Sequence, residues 1–166
     1  MKSNGSVYVA AVLVVLIGYF AYQWWFNPAR AIKQRLGDVA AALSVPAPDS
    51  DIARIERLAE LRRYLADDVR VDVGGAQPVT SRDAVLGLVA SFKPASGGVD
   101  VQFVDTQVNV ESDSSGRAYL TVEVTTPDRQ TGQPTVDSRE AVVTLVRRGG
   151  EWLITSAESR PAPTRP

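Results

Sequence analysis

Between Val99 and Glu158 apolar residues recur with a period of two, and this pattern constrains the fold of the 166-residue chain more than any other feature. In "RAYLTVEV" the residues Ala118, Leu120, Val122 and Val124 alternate with polar neighbours. In "DSREAVVTLVRR" Ala141, Val143 and Leu145 share one side. That period belongs to a strand, whose side chains point to alternate faces. "VRRGGEWLITSAE", Val146 to Glu158, reads as strand, Gly-Gly turn and strand. An earlier strand carries Val99, Val101 and Phe103 on one face, then Val104, Val108 and Val110 on the other. The switch predicts a β-bulge near Phe103 and Val104. Four long antiparallel strands with one apolar face require a cover.

The first half of the chain supplies that cover. Asn27 can cap a helix and Pro28 suits its first position. Ile32, Leu36, Val39 and Leu43 follow at spacings of one helical face. "VPAPDS" ends this helix. Ser50 caps the next, with Ile52, Ile55, Leu58, Leu61 and Leu65 as its expected buried side. Its expected wet face holds Arg54, Arg57, Arg62 and Arg63 with Glu56 and Glu60. "VRVDV", residues 69–73, is a short strand. Thr80 with Asp83 resembles a capping box for a third helix, "SRDAVLGLVASF". The expected fold class is α+β, an antiparallel sheet packed on about three helices.

"VYVAAVLVVLIGYFAYQWWF", residues 7–26, carries no charge. As a helix it spans roughly 30 Å, the thickness of a bilayer core. Tyr19, Phe20, Tyr22, Trp24, Trp25 and Phe26 crowd its far end as an interfacial belt does. A cleaved signal peptide needs small residues where "AYQWWF" is bulky. Residues 1–27 are therefore expected to be a short tail and a retained single-pass anchor, with the lipid bilayer as a partner. Arg30, Lys33 and Arg35 against Lys2 favour a cytoplasmic domain by charge alone. The short tail before a large domain favours the opposite, and an extracytoplasmic domain over residues 28–159 is the expectation adopted. "RPAPTRP", residues 160–166, reads as a disordered tail.

Composition removes several chemistries. The chain has 18 basic and 19 acidic residues, so no net field draws it to nucleic acid. Tyr64, Phe92, Phe103, Tyr119 and Trp152 are too few for a base-stacking platform. With no cysteine and no histidine, Ser-His-Asp and Cys-His machines and thiolate metal sites are excluded. The acids are scattered, with no spaced oxygen ligands of a calcium loop. No metal and no cofactor is expected.

"LRRYLADDVRVDV", "TSRDAVLGLV" and "SREAVVTLVRRGGEWLI", in this order and spacing, resemble the nuclear transport factor 2-like (SnoaL-like) superfamily from about Ala29 to Glu158. The resemblance implies an α+β cone whose curved sheet wraps helices around a pocket. In ketosteroid isomerase-like members an aspartate base lies on the first strand. Here Val73 takes that place, and Asp72, one residue earlier, should face away. The oxyanion-binding tyrosine is matched by Leu36. Dehydratase chemistry leans on histidine, which is absent. The resemblance thus implies a non-catalytic binding or assembly module, as in membrane-anchored type IV secretion assembly factors, with a protein partner or a second copy. The alternative is an anchored enzyme or small-molecule carrier using the cone pocket.

The pocket candidates are Arg139, Phe92 and Phe103. Arg139 shares the face of Ala141, Val143 and Leu145, and a buried arginine demands an anion. An internal carboxylate is the expected partner, and a ligand is the other possibility. A pocket filled by Phe92, Phe103 and leucines would favour assembly, and an open one with converging polar groups would favour a ligand. Trp152 is expected to pack. Asp67 and Asp68 read as solvated turn residues, and Tyr119 and Glu123 as the opposite sheet face.

Overall fold

The computed structural model describes residues 12–19, 27–75, 77–93, 97–128 and 130–160. Helix α1 spans Pro28–Leu43, and the Asn27 side chain accepts a hydrogen bond from the Ala29 N–H at 3.0 Å. Ile32, Leu36 and Val39 are buried along its stripe, joined by Ala40 and Ala42. At its end the Ser44 hydroxyl donates to the Ala40 carbonyl and accepts from the Val101 N–H. That exchange stops the helix and ties it to the sheet. Helix α2 spans Asp51–Tyr64 with Ser50 as its cap. Helix α3 spans Arg82–Ser91, and its cap is Ser81 rather than Thr80, the Ser81 hydroxyl accepting from the Ala84 N–H.

The expected burial of α2 needs correction. Of its stripe only Leu61 is buried within the helix, while Ile52 and Ile55 are 71% and 67% exposed. Arg62 lies 3.6 Å from Asp83, so the end of α2 meets the start of α3. The opening turns of α2 therefore lie away from the part that packs, and periodicity alone cannot show where along a helix its cover ends.

Six strands form one curved sheet: β1 (Leu65–Asp72), β2 (Val79–Thr80), β3 (Asp100–Ser112), β4 (Ser115–Pro127), β5 (Pro134–Arg148) and β6 (Glu151–Arg160). Their order is β2-β1-β6-β5-β4-β3. The sheet is mixed and not antiparallel throughout, because β1 pairs with β6 in parallel. A period of two carries no direction, and no tight turn links β1 to β6 to impose one. The bulge of β3 falls between Val104 and Gln107, where Asp105 has φ 52°, just beyond the expected place. Beyond it Val108 and Val110 return to the helix-covered side, as Phe103 does. A bulge bends its strand, and here it helps curve the sheet over α1.

Asp67 and Asp68 are strand residues, not turn residues. They sit where the β1–β6 register shifts between Leu65 and Arg70. Asp67 pairs with Arg82 at 2.5 Å, and Asp68 accepts two bonds from Arg148 at 3.0 and 3.2 Å. At the β5–β6 hairpin Gly149 and Gly150 have φ 59° and 87°, both in the left-handed region that a two-residue turn of the I′ type needs. Trp152 just beyond it is 5% exposed and belongs to the core with Ile32, Leu36, Leu145 and Ile154. Ile32 sits so close to Gly116 that a β-carbon there would meet its Cδ1 at 2.6 Å.

Most of the expected membrane span, residues 7–26, lies outside the described residues, as do residues 161–166 of the tail. Residues 12–19 are helical, with Val12 to Ile17 and Tyr19 exposed. Among the described residues no helix is long and apolar enough to cross a membrane.

Two outcomes follow from this packing. Trp152→Ala should lower the unfolding free energy by about 3–5 kcal/mol, as large buried aromatic deletions do, read by denaturant titration. Unchanged stability would place Trp152 outside the core. The Arg148 guanidinium, by hydrogen bonding, holds the Asp68 carboxyl below its ordinary value of 3.8. A lowered pKa stabilises the fold above that ordinary value, and the contribution is lost as pH falls through the folded one. Asp68→Asn should therefore be less stable than the parent at pH 7 and converge with it in acid. A gap that persists undiminished in acid would contradict this.

Candidate ligand pocket

Helix α1 gives the cone a closed end and an open one. Its start lies at the closed end, where Ile32 meets Gly116 and Arg35 pairs with Glu151 beside the hairpin turn. Its finish lies at the open end, where Ser44 bonds Val101 and Val45 bridges Val99. There the core stops and a cavity of about 400 Å³ begins. Leu43 of α1, Phe103 of β3, Leu120, Val122 and Val124 of β4, and Ala141 and Val143 of β5 line it. Val71 and Val73 near the end of β1 and Ala157 of β6 complete the apolar wall. A volume of this order accommodates a small organic molecule.

The polar groups gather at the mouth. Asp137 and Arg139 alternate with Ala141 and Val143 and so share the inward face of β5. Ser159, the register partner of Ala141, faces the same way on β6. Asp72 and Glu158 also border the cavity, but they are register partners alternating with Val71 and Ala157, which pack on the core. Their carboxylates belong to the opposite face. Asp72 accepts from the Gly74 N–H at 3.0 Å. Glu158 adjoins Arg117, Tyr119, Thr144 and Ser156 around a polar depression of about 210 Å³ on that outer face. The Tyr119 hydroxyl and then the Glu111 carboxylate raise the Arg117 pKa.

Of the expected site residues, the structure brings Arg139 and Phe103 into one cavity and leaves Phe92 out. Phe92 caps the end of α3, its N–H bonding the Leu88 and Val89 carbonyls, and the residue is 55% exposed. Helical spacing cannot show that the chain turns outward there. Arg139 is not buried either. Its side chain is 57% exposed, and its Nε donates to Asp137 at 3.4 Å, itself 67% exposed. The expected internal carboxylate is thus a neighbour on the same strand, at a wet mouth. Asp137 could have been found from alternation, since it stands two residues before Arg139. Ser159 could not, because its place depends on the β5–β6 register, which shifts between Thr144 and Leu145.

Several large apolar side chains are left uncovered. Ile52, Ile55, Leu88, Phe92 and Val136 are exposed, and Val73 is both exposed and part of the cavity wall. Among the described residues no group of three or more carboxylates could hold a metal ion.

An exposed ion pair contributes little to stability. Arg139→Met should therefore change the unfolding free energy by no more than about 0.5 kcal/mol, the range of ordinary surface changes. A loss of several kcal/mol in denaturant unfolding would restore a buried, scaffold-bearing pair.

Comparison with known proteins agrees with this geometry. The family model for the SnoaL-like domain matches residues 53–158, more than half of the chain. A comparison with curated proteins finds no match. Among solved structures, an NTF2-like protein with a cystatin-like fold from Novosphingobium aromaticivorans superimposes with a TM-score of 0.65 at 13% identity, covering 99% of this chain and 94% of that one. Aln2 from a Streptomyces species gives 0.65 at 14% identity over 81% and 91% of the two chains. A hexachlorocyclohexane dehydrochlorinase, LinA-type3, from Novosphingobium barchaimii gives 0.62 at 14% identity over 81% and 86%. At these identities the likeness is one of fold. The family match over residues 53–158, joined to the α+β cone described above, identifies the chain as a member of the SnoaL-like domain family.

Proposed function

We propose that this chain is a membrane-tethered SnoaL-like domain whose cone takes up a small, mainly apolar molecule. The observation that carries the reading is the cavity of about 400 Å³ at the open end, walled by aliphatic side chains and Phe103. A domain built only for assembly has no need to leave such a wall unfilled, since unfilled apolar space forfeits packing energy. Binding is favoured over catalysis by the placement of the polar groups. Asp137, Arg139 and Ser159 stand at the mouth, away from the depth of the cavity, and the chain has no histidine to act as a base.

The tether rests on the uncharged stretch over residues 7–26 and on the exposed apolar side chains of residues 12–19. A second reading, a protein partner or a second copy docked on α2 and α3, is favoured by the exposed Ile52, Ile55, Leu88 and Phe92.

The full chain should stay with membranes through a high-salt wash, and residues 28–166 should be soluble and folded. A fragment that is unfolded or still sediments with membranes would place the boundary elsewhere. That fragment should enhance the fluorescence of the neutral apolar dye N-phenyl-1-naphthylamine, and Val122→Trp, which fills the cavity, should remove the enhancement. Dye binding unchanged in Val122→Trp would move the ligand out of the cone. No binding by the parent fragment would favour the docking reading.

A further inference from the structure

The mouth of the cavity carries hydrogen-bond donors that are left without a protein acceptor among the described residues. Arg139 engages Asp137 only through Nε, at 3.4 Å, which is long for a hydrogen bond to a carboxylate. Among the described residues its two terminal nitrogens make no hydrogen bond, and neither does the Ser159 hydroxyl. Position along the sheet decides which polar group a ligand meets first. On β5 the inward order from the mouth is Asp137, Arg139, Ala141, Val143. At about 3.3 Å per residue, Arg139 stands about 7 Å deeper than Asp137. Ser159 is paired with Ala141, one row deeper again. A head group drawn in by an apolar body on Ala141 and Val143 therefore meets a guanidinium and a hydroxyl, with Asp137 behind it towards solvent.

Resting on the pocket reading above, we infer that the ligand is an amphiphile with one oxyanion head, a carboxylate or its like, held by Arg139 and Ser159. Its compact apolar body lies against Ala141, Val143, Val122 and Phe103. The planar guanidinium presents its terminal nitrogens as a fork that fits a carboxylate with two parallel bonds. Asp137 then grips the same guanidinium from the outer side and fixes its orientation. A cationic head halted at Asp137 would leave about 7 Å of its tail beside the guanidinium, short of the apolar wall, and an uncharged one would leave the fork unused.

The test uses the full chain and three probes of equal tail: octanoate, 1-octanol and octylammonium, titrated calorimetrically with the heat of the solubilising lipid subtracted. Octanoate should bind about tenfold or more tighter than octanol, the range for a charged hydrogen bond, and octylammonium should bind most weakly. Arg139→Gln should abolish the preference for octanoate while leaving octanol affinity and the melting temperature unchanged. Ser159→Ala should weaken octanoate several-fold without lowering the melting temperature. Equal binding of acid and alcohol, a preference that survives Arg139→Gln, or octylammonium as the tightest probe would each overturn the oxyanion head while leaving an occupied pocket. Absence of binding by all three would overturn the pocket reading and this inference together.

Discussion

The seat of Ile32 on Gly116 sets the shape of everything around it. A helix can lie this close to a sheet only where the strand offers no side chain, and any β-carbon at Gly116 would collide with the Ile32 methyl. That contact, with Trp152 beside it, presses the start of α1 onto the closed end of the cone. Leu36 and Val39 continue the seam, and by Leu43 the core has given way to the cavity wall. One straight helix crossing a curved sheet cannot touch it along its whole length. The tight contact at one end therefore entails room at the other, and the cavity is a consequence of the packing rather than a defect in it.

Charged side chains hold the edges of this arrangement. Arg35 pairs with Glu151 beside the hairpin and stands 4.9 Å from the Tyr64 ring centre, linking α1, β6 and the end of α2. Burial, more than the nearby Glu60 and Asp38, pushes the Tyr64 hydroxyl up from its ordinary value. Arg82 and Arg148 take up Asp67 and Asp68 where β1 loses register with β6. Each of these pairs is at least partly exposed and so individually weak. Their common effect is to position the irregular start of β1, whose far end then supplies Val71 and Val73 to the pocket.

What could be read from residues alone was whatever a local period controls. The α1 stripe of Ile32, Leu36 and Val39 and the alternation of Ala118, Leu120, Ala141, Val143 and Leu145 appear in the structure as expected, because burial repeats with backbone geometry. The Gly-Gly turn and the Ser50 cap were equally legible, since each meets a local backbone demand. What was not legible depends on distant partners. The parallel direction of β1, the exposure of Ile52 and Ile55, and the outward turn at Phe92 are set by where neighbouring elements end. Arg139 shows both sides of this. Its inward face followed from alternation, but its wetness depends on how far the sheet extends beyond the core.

The cone is closed at Ile32 and Trp152 and open between Leu43 and Val143. Xenon tests it without presupposing a ligand, because the gas occupies apolar cavities and leaves close-packed cores alone. Methyl resonances of the full chain recorded under xenon pressure should shift for Leu43, Val71, Leu120, Val122 and Val143, and stay in place for Ile32, Leu36 and Ile154. Shifts confined to Ile52, Ile55 and Leu88, or none at the cone methyls, would contradict the account and leave a filled core with a sticky surface.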